Sequence, residues 1–156
     1  IIPNHILSPC RIGVVSRSGT LTYEVVAALS NAGIGERYVV GIGGDPIKGM
    51  DFVDCLAAFE ADTSVDAIVM IGEIGGQSEN RAADYIKKSV AKPVVGYIAG
   101  HAAPPGVQLG HAGAILGSKQ ESAVYKSERL SEAGVTICKT VTDITPQIQK
   151  ISRSTQ

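Results

Sequence analysis

Two residues of this chain are well suited to covalent chemistry: a histidine set among small residues and a glutamate that ends an apolar run. His111 lies in the stretch 110–114 (GHAGA), where small neighbours leave room for a group attached to the imidazole. Glu73 follows the run 67–71 (AIVMI), and a carboxylate there can hold that imidazole in one tautomer. The pair predicts a nucleophilic histidine. A histidine that only hydrogen-bonds within its own loop is the alternative.

The stretch 16–20 (SRSGT) has the composition of an anion site at the start of a helix. Ser18 or Thr20 can cap the helix, and Gly19 lets an anion approach the free N–H groups of the first turn. The helix dipole adds partial positive charge there, and Arg17 offers a fork of donors to a carboxylate or a phosphate. An ordinary capped helix start explains the same residues equally well.

The glycine-rich stretch 41–46 (GIGGDP) has two interpretations. It lacks the G-x-G-x-x-G spacing and reaches Pro46 where a long helix would begin, which argues against a nicotinamide-dinucleotide site. Gly43 and Gly44 therefore either allow close approach to a substrate or form a tight turn. No metal site is expected, because no cluster of cysteines or histidines adds ligands to His111 and Glu73.

Alternating strand and helix patterns place these residues in a fold. Five β-rich runs span 11–16, 37–42, 67–72, 93–99 and 136–139, and helical spacing covers 21–32, 51–60, 79–89 and 121–133. The central runs are apolar almost throughout, as in strands covered on both faces. The predicted fold is α/β: a flavodoxin-like, doubly wound, five-stranded parallel sheet in one domain, 1–156. Such sheets bind ligands at the carboxyl ends of their strands, where the glycine clusters and the long connection 100–118 lie.

Composition narrows the class of protein and the partners. With 156 residues, 44% hydrophobic and 19% charged, the chain is long and apolar enough for one globular domain. A net charge of −1 gives no reason to expect nucleic acid or a membrane surface as partner. Three scattered cysteines predict reduced thiols and a reducing compartment: Cys10, Cys55 and Cys138. The start (IIPNH) looks like a cut inside a longer protein.

Taken in order, five stretches resemble the carboxyl-terminal ligase domain of the succinate–CoA ligase (succinyl-CoA synthetase) alpha subunits. They are 16–24 (SRSGTLTYE), 41–46 (GIGGDP), 72–76 (GEIGG), 92–96 (KPVVG) and 110–114 (GHAGA), and the resemblance runs from about residue 2 to residue 144. It implies an acid–thiol ligase that couples succinate and coenzyme A to cleavage of ATP or GTP. The implied intermediates are an acyl phosphate and a phosphohistidine.

The resemblance also implies a role for each candidate residue. His111 matches the histidine that is phosphorylated, and Glu73 matches the glutamate that hydrogen-bonds its imidazole. The start of the phosphate-binding helix matches three residues: Ser18, Gly19 and Thr20. The carboxylate substrate would face three others: Arg17, Gly43 and Gly44. A mobile loop bearing His111 would carry the phosphoryl group between sites.

The implied enzyme needs parts outside this chain. Coenzyme A is a substrate bound mainly by an amino-terminal Rossmann-like domain, and ATP or GTP is bound with Mg by an ATP-grasp beta subunit or domain. This domain would hold no cofactor tightly and would be incomplete alone. The expected location is cytoplasmic, or the mitochondrial matrix in a eukaryote.

Departures from the family pattern leave the acid open. After Ala114 the succinate enzymes usually continue with GGKG, whereas residues 115–123 read ILGSKQESA. Val107, Gln108 and the stretch 121–124 (ESAV) look more like ATP-citrate lyase and citryl-CoA synthetase relatives, while 103–106 (APPG) looks like the succinate enzymes. The same chemistry on citrate or malate is the first alternative. A non-enzymatic receiver-like phospho-signalling module is the second, although it needs acidic residues where this chain has Ser16 and Arg17.

Overall fold

One five-stranded sheet organises the computed structural model, which describes residues 3–104 and 110–154. All strand pairs are parallel and the spatial order is β2-β1-β3-β4-β5. The strands are β1 (Pro9–Ser16), β2 (Glu36–Gly41), β3 (Ala67–Glu73), β4 (Val94–Ala99) and β5 (Thr136–Ile137). The predicted flavodoxin-like sheet is confirmed. Val107 and Gln108, which carried part of the comparison with the citrate enzymes, lie outside the described residues.

Among the described residues, four helices connect successive strands and a fifth follows β5. They are α1 (Gly19–Asn31), α2 (Phe52–Ala61), α3 (Ser78–Ser89), α4 (Ala123–Glu132) and α5 (Ile144–Ser154). The sequence patterns predicted the first four and missed α5. The predicted helix 121–133 is also shorter than expected: a 3-10 turn ends at Glu121, and the Ser122 hydroxyl then caps α4 by accepting from Tyr125 N–H.

The sheet is buried on both faces, and β3 shows this most clearly. Every residue of β3 is buried. Ile68 and Met70 pack in a core cluster with α2, α3 and α4, while Val69 and Ile71 pack with α1 and α5 on the opposite face. This alternation is what a central parallel strand requires, and it explains the continuous apolar run in the sequence.

The ends of α1 and α4 follow the local rules for helix capping. The Ser18 hydroxyl accepts from Leu21 N–H at 3.4 Å and caps α1. Gly33 and Gly134 adopt φ of +72° and +92° just after α1 and α4, as expected for glycines that close helices. Within the described ranges, no helix combines the length and apolarity needed to cross a bilayer.

Candidate active site

The structure brings His111 and Glu73 together at the carboxyl edge of the sheet. Nδ1 of His111 lies 3.0 Å from each carboxylate oxygen of Glu73. The Glu73 side chain is 9% exposed and the His111 side chain is 40% exposed. A carboxylate only accepts hydrogen bonds, so Nδ1 carries the proton and donates it. Nε2 then holds a free lone pair on a ring that is reachable from outside.

Glycines make room for this pair. A Cβ on Gly44 would lie 2.3 Å from His111 Nδ1, so the Gly44 backbone packs against the imidazole. A Cβ on Gly75 would lie 1.9 Å from the Gly113 carbonyl oxygen, and Gly113 N–H donates to the Gly44 carbonyl at 3.2 Å. Gly43 has a φ of +76°, which favours glycine. The two glycine-rich turns thus both meet the backbone at Gly113, two residues after His111.

Arg17 lies inside the site, where the protein's own carboxylates engage it. Its side chain is 3% exposed; Nη2 lies 3.2 Å from Glu73 Oε1 and Nη1 lies 2.8 Å from Glu79 Oε1. Nη1 also donates to the Gly75 carbonyl at 2.9 Å. These contacts hold Glu73 in place. The predicted contact between Arg17 and a carboxylate substrate stays a prediction.

Sequence reasoning missed two charged residues behind Arg17. Glu79 and Lys126 each have 0% side-chain exposure, and Lys126 Nζ lies 2.6 Å from Glu79 Oε2. Burial opposes ionisation of Glu79, but Lys126 and Arg17 outweigh it and hold the pKa of Glu79 below its ordinary value. A signal was available, because Lys126 shares a helix face with Ala123 and Leu130, both buried. A lysine on an apolar helix face needs a buried partner.

The start of α1 lies at the same edge as the His111–Glu73 pair. Arg17 N–H donates to the Ile71 carbonyl at 3.0 Å, which joins the residue before Ser18 to the end of β3. Gly19 and Thr20 are exposed, and a Cβ on Gly19 would meet nothing within 4 Å. The first N–H groups of a helix have no acceptor within the helix, so this open end is suited to an anion.

A cavity of about 240 Å³ adjoins the site. Arg17, Gly44 and Gly113 contribute to its wall, and so do two further cations, Lys48 and Arg81. Burial, with a contribution from the charge of Arg17, lowers the pKa of Lys48. Arg81 pairs with Asp51 at 3.1 Å. Asp45 also lies in the wall, and a lining with three cations and one carboxylate suits a small carboxylate or phosphate.

The remaining candidate ligands take no part in this arrangement. Burial raises the pKa of both Cys55 and Cys138 to about 11, as suits inert structural thiols. Among residues 3–104 and 110–154, no three His, Cys, Asp or Glu side chains are grouped so as to hold a metal ion.

Comparisons with known proteins identify the family of this chain. The CoA-ligase family model matches residues 15–140. The chain is 50% identical over 144 residues to the succinate–CoA ligase [ADP-forming] alpha subunits of Staphylococcus epidermidis and Staphylococcus aureus, covering 92% of this chain and 48% of each relative. It therefore spans about half the length of these relatives.

Solved structures add two further similarities. ATP citrate lyase of Methanosaeta concilii, in complex with (3S)-citryl-CoA, superposes with a TM-score of 0.89 at 28% identity, over 96% of this chain and 25% of that one. The dinucleotide-forming acetyl-coenzyme A synthetase 1 of Ca. Korarchaeum cryptofilum gives 0.69 at 25% identity, over 92% and 30%. With the family match over residues 15–140, these findings show that the chain belongs to the CoA-ligase family.

Proposed function

We propose that this chain is the phosphohistidine-bearing domain of a succinate–CoA ligase alpha subunit. One observation carries the proposal: Glu73 holds His111 by Nδ1 and leaves Nε2 free, in a chain half identical to succinate–CoA ligase alpha subunits. Histidines used as nucleophiles need this arrangement, because the ring nitrogen that attacks must be unprotonated.

The reaction then proceeds in three transfers. The Nε2 lone pair attacks the γ-phosphorus of the nucleotide. An N–P bond forms, the bond from the γ-phosphorus to the bridging oxygen breaks, and the nucleoside diphosphate leaves. A carboxylate oxygen of the acid next attacks the same phosphorus, which breaks the N–P bond and gives an acyl phosphate. The coenzyme A thiolate finally attacks the acyl carbon; the C–S bond forms, the acyl C–O bond breaks and phosphate leaves. In each phosphoryl transfer, the start of α1 at Ser18, Gly19 and Thr20 stabilises the phosphate charge without offering a nucleophile.

The other substrates belong to regions beyond this chain. The relatives are called alpha subunits and extend about twice as far, which supports a further domain for coenzyme A and a separate partner. We assign ATP or GTP with Mg to an ATP-grasp beta partner, and the complete enzyme to the cytoplasm. The cavity beside Arg17 and Gly44 is the proposed place for the acid, since Lys48 and Arg81 add positive charge there.

A second acid substrate deserves testing because one structural observation favours it. The ATP citrate lyase that superposes at a TM-score of 0.89 is in complex with (3S)-citryl-CoA. Citrate or malate is therefore the alternative acid, with the same chemistry at His111.

The test uses the complete protein with its nucleotide-binding partner and γ-labelled ATP or GTP. We expect an acid-labile, base-stable phosphate on His111, and His111→Asn should abolish it. Glu73→Ala should slow labelling by about 100-fold, because the imidazole loses its orientation but keeps its nucleophile. Discharge by succinate, citrate or malate with coenzyme A identifies the acid. Labelling of the His111→Asn variant, or no label on the wild type, would overturn the proposal.

A further inference from the structure

The backbone N–H and the backbone carbonyl of Glu73 are both held by buried charged side chains from other elements. Glu73 N–H donates to Glu79 Oε1 at 3.2 Å, and the Glu73 carbonyl accepts from Lys126 Nζ at 2.8 Å. Lys126 Nζ also donates to the Gly75 carbonyl at 2.7 Å. Glu79 lies in the first turn of α3 and Lys126 lies in α4, so two helices fix the turn that follows β3.

The Glu73 carboxylate is fixed by the same group of residues through Arg17. Arg17 bridges Glu79 Oε1 at 2.8 Å and Glu73 Oε1 at 3.2 Å. We propose that Glu79 and Lys126 are positioning residues for the reaction at His111: they hold Arg17 and the Glu73 backbone, and thereby keep the Glu73 carboxylate on Nδ1. The inference rests on the proposed function for its catalytic consequence, whereas the geometry it describes is independent of it.

The energetics support a positioning role. Arg17 and Lys126 carry two positive charges, and Glu73 and Glu79 carry two negative charges. The buried group of four side chains is therefore neutral as a whole. Removing charges from water is costly, and well-packed apolar side chains at such positions often stabilise a fold equally well or better. The attraction between Glu79 and Lys126 alone therefore does not account for their burial. What an apolar pair would fail to provide is the four hydrogen bonds to the backbone and to Arg17 that orient Glu73.

The test compares buried and surface charges that join the same two helices. Lys126→Met and Glu79→Gln remove one charge each from the buried group. Arg129→Met is the matched control, because Arg129 of α4 pairs with Asp84 of α3 at the surface, where their side chains are 34% and 60% exposed. The measurement is ¹⁵N NMR of histidine-labelled protein, with the His111 resonances assigned by their loss in the His111→Asn variant.

We expect His111 in the wild type and in Arg129→Met to hold one neutral tautomer, protonated on Nδ1. In Lys126→Met and Glu79→Gln that preference should be lost. In the complete enzyme the same two variants should slow phosphorylation of His111 about 10-fold or more, with the KM for nucleotide unchanged. A fixed Nδ1–H tautomer and an unchanged rate in both variants would overturn the inference.

Two features keep the result decisive. If a single variant fails to fold, Glu79→Gln combined with Lys126→Met removes both buried charges together, and its tautomer decides the outcome in the same way. The NMR measurement needs neither nucleotide nor partner. An enzyme that is never labelled at His111 would therefore reject the proposed function while the tautomer still tests the positioning of the ring.

Discussion

The two edges of the sheet hold the same kind of ion pair in opposite environments. Near the amino end of β1, Arg11 pairs with Asp66 at 2.5 Å, and the side chains are 49% and 42% exposed. Just beyond the carboxyl end of β1, Arg17 pairs with Glu79 at 2.8 Å, and the side chains are 3% and 0% exposed. An exposed pair exchanges water for a partner at little net gain, whereas a buried pair leaves a costly unpaired charge when either member is lost.

One cavity from each edge of the sheet can be compared in size and in lining. The larger, about 540 Å³, lies at the amino edge near residues 4–10 and 36–39, and the smaller, about 240 Å³, lies at the carboxyl edge. Only the smaller cavity shares wall residues, Arg17 and Gly44, with the surroundings of His111. The chemistry of the lining therefore locates the site, and cavity size does not.

The largest expected difference between the two edges is in stability, and it is tested by removing one cation at each edge. Lys126→Ala should lower the free energy of unfolding by about 3–5 kcal/mol, because Glu79 is left buried without its closest cation. Arg11→Ala should leave the unfolding midpoint within experimental error, because water replaces the guanidinium at Asp66. Urea unfolding followed by circular dichroism measures both, and the chain contains no tryptophan to follow by fluorescence.

Equal losses of stability in the two variants would contradict the distinction between the edges. Lys126→Met provides a control for packing, since it keeps most of the side-chain volume and removes only the charge. If Lys126→Met were as stable as the wild type, the destabilisation in Lys126→Ala would arise from a cavity rather than from the loss of one of the two cations that pair with Glu79.

Glycines at the two edges sharpen the comparison, because each makes room for a different neighbour. A Cβ on Gly44 would strike the His111 ring, whereas a Cβ on Gly35 would lie 1.9 Å from the Ser8 carbonyl oxygen. Gly44→Ala should slow phosphorylation of His111 about 10-fold or more with little loss of stability, because the ring must move. Gly35→Ala should lower the unfolding midpoint and leave the rate in folded protein unchanged.

The control for Gly44→Ala is Gly41→Ala, three residues earlier at the end of β2. A Cβ on Gly41 would meet nothing within 4 Å, so this variant should match the wild type in rate. A slow Gly41→Ala variant would show that the rate responds to any added methyl group near β2. Labelling from γ-labelled nucleotide and thermal unfolding, measured on the same samples, separate the two effects.

The sequence predicted the sheet and the pairing of His111 with Glu73 for identifiable reasons. An apolar run such as 67–71 marks a buried parallel strand, and the ligand edge follows from the strand direction. Glu79 and Lys126 escaped because a single charged residue in a helical pattern is ordinarily solvated. Their burial depends on α3 and α4 meeting behind the turn after β3, and the local pattern holds only one sign of it, Lys126 on the helix face of Ala123 and Leu130. Arg17 was noticed as a donor, but its partners lie 56 and 62 residues away in the chain.

The smallest expected difference between the two edges is in how the free energy of unfolding depends on pH. Lys126 and Arg17 hold the pKa of Glu79 below its ordinary value of 4.5, so the unfolded chain binds a proton at higher pH than the folded one. The stability from Glu79 is therefore complete above about pH 4.5 and is lost as pH falls through the native pKa. The gap in unfolding free energy between the wild type and Glu79→Gln should narrow below that pH. Roughly 1 M salt should leave this narrowing unchanged, because the buried pair is shielded from ions.

The matching variant at the amino edge is Asp66→Asn. The hydrogen bond from Arg11 holds the pKa of Asp66 below its ordinary value as well, so the sign of the pH dependence is the same. Because the Arg11–Asp66 pair is exposed, salt screens it, and its smaller narrowing should disappear at roughly 1 M salt. If salt abolished the narrowing for both Glu79→Gln and Asp66→Asn, Glu79 would be accessible to solvent ions. The carboxyl edge would then be no better shielded from solvent than the amino edge. Persistence at Glu79 alone would mean that the charges behind His111 act within the protein interior, which is the condition for holding Glu73 rigidly.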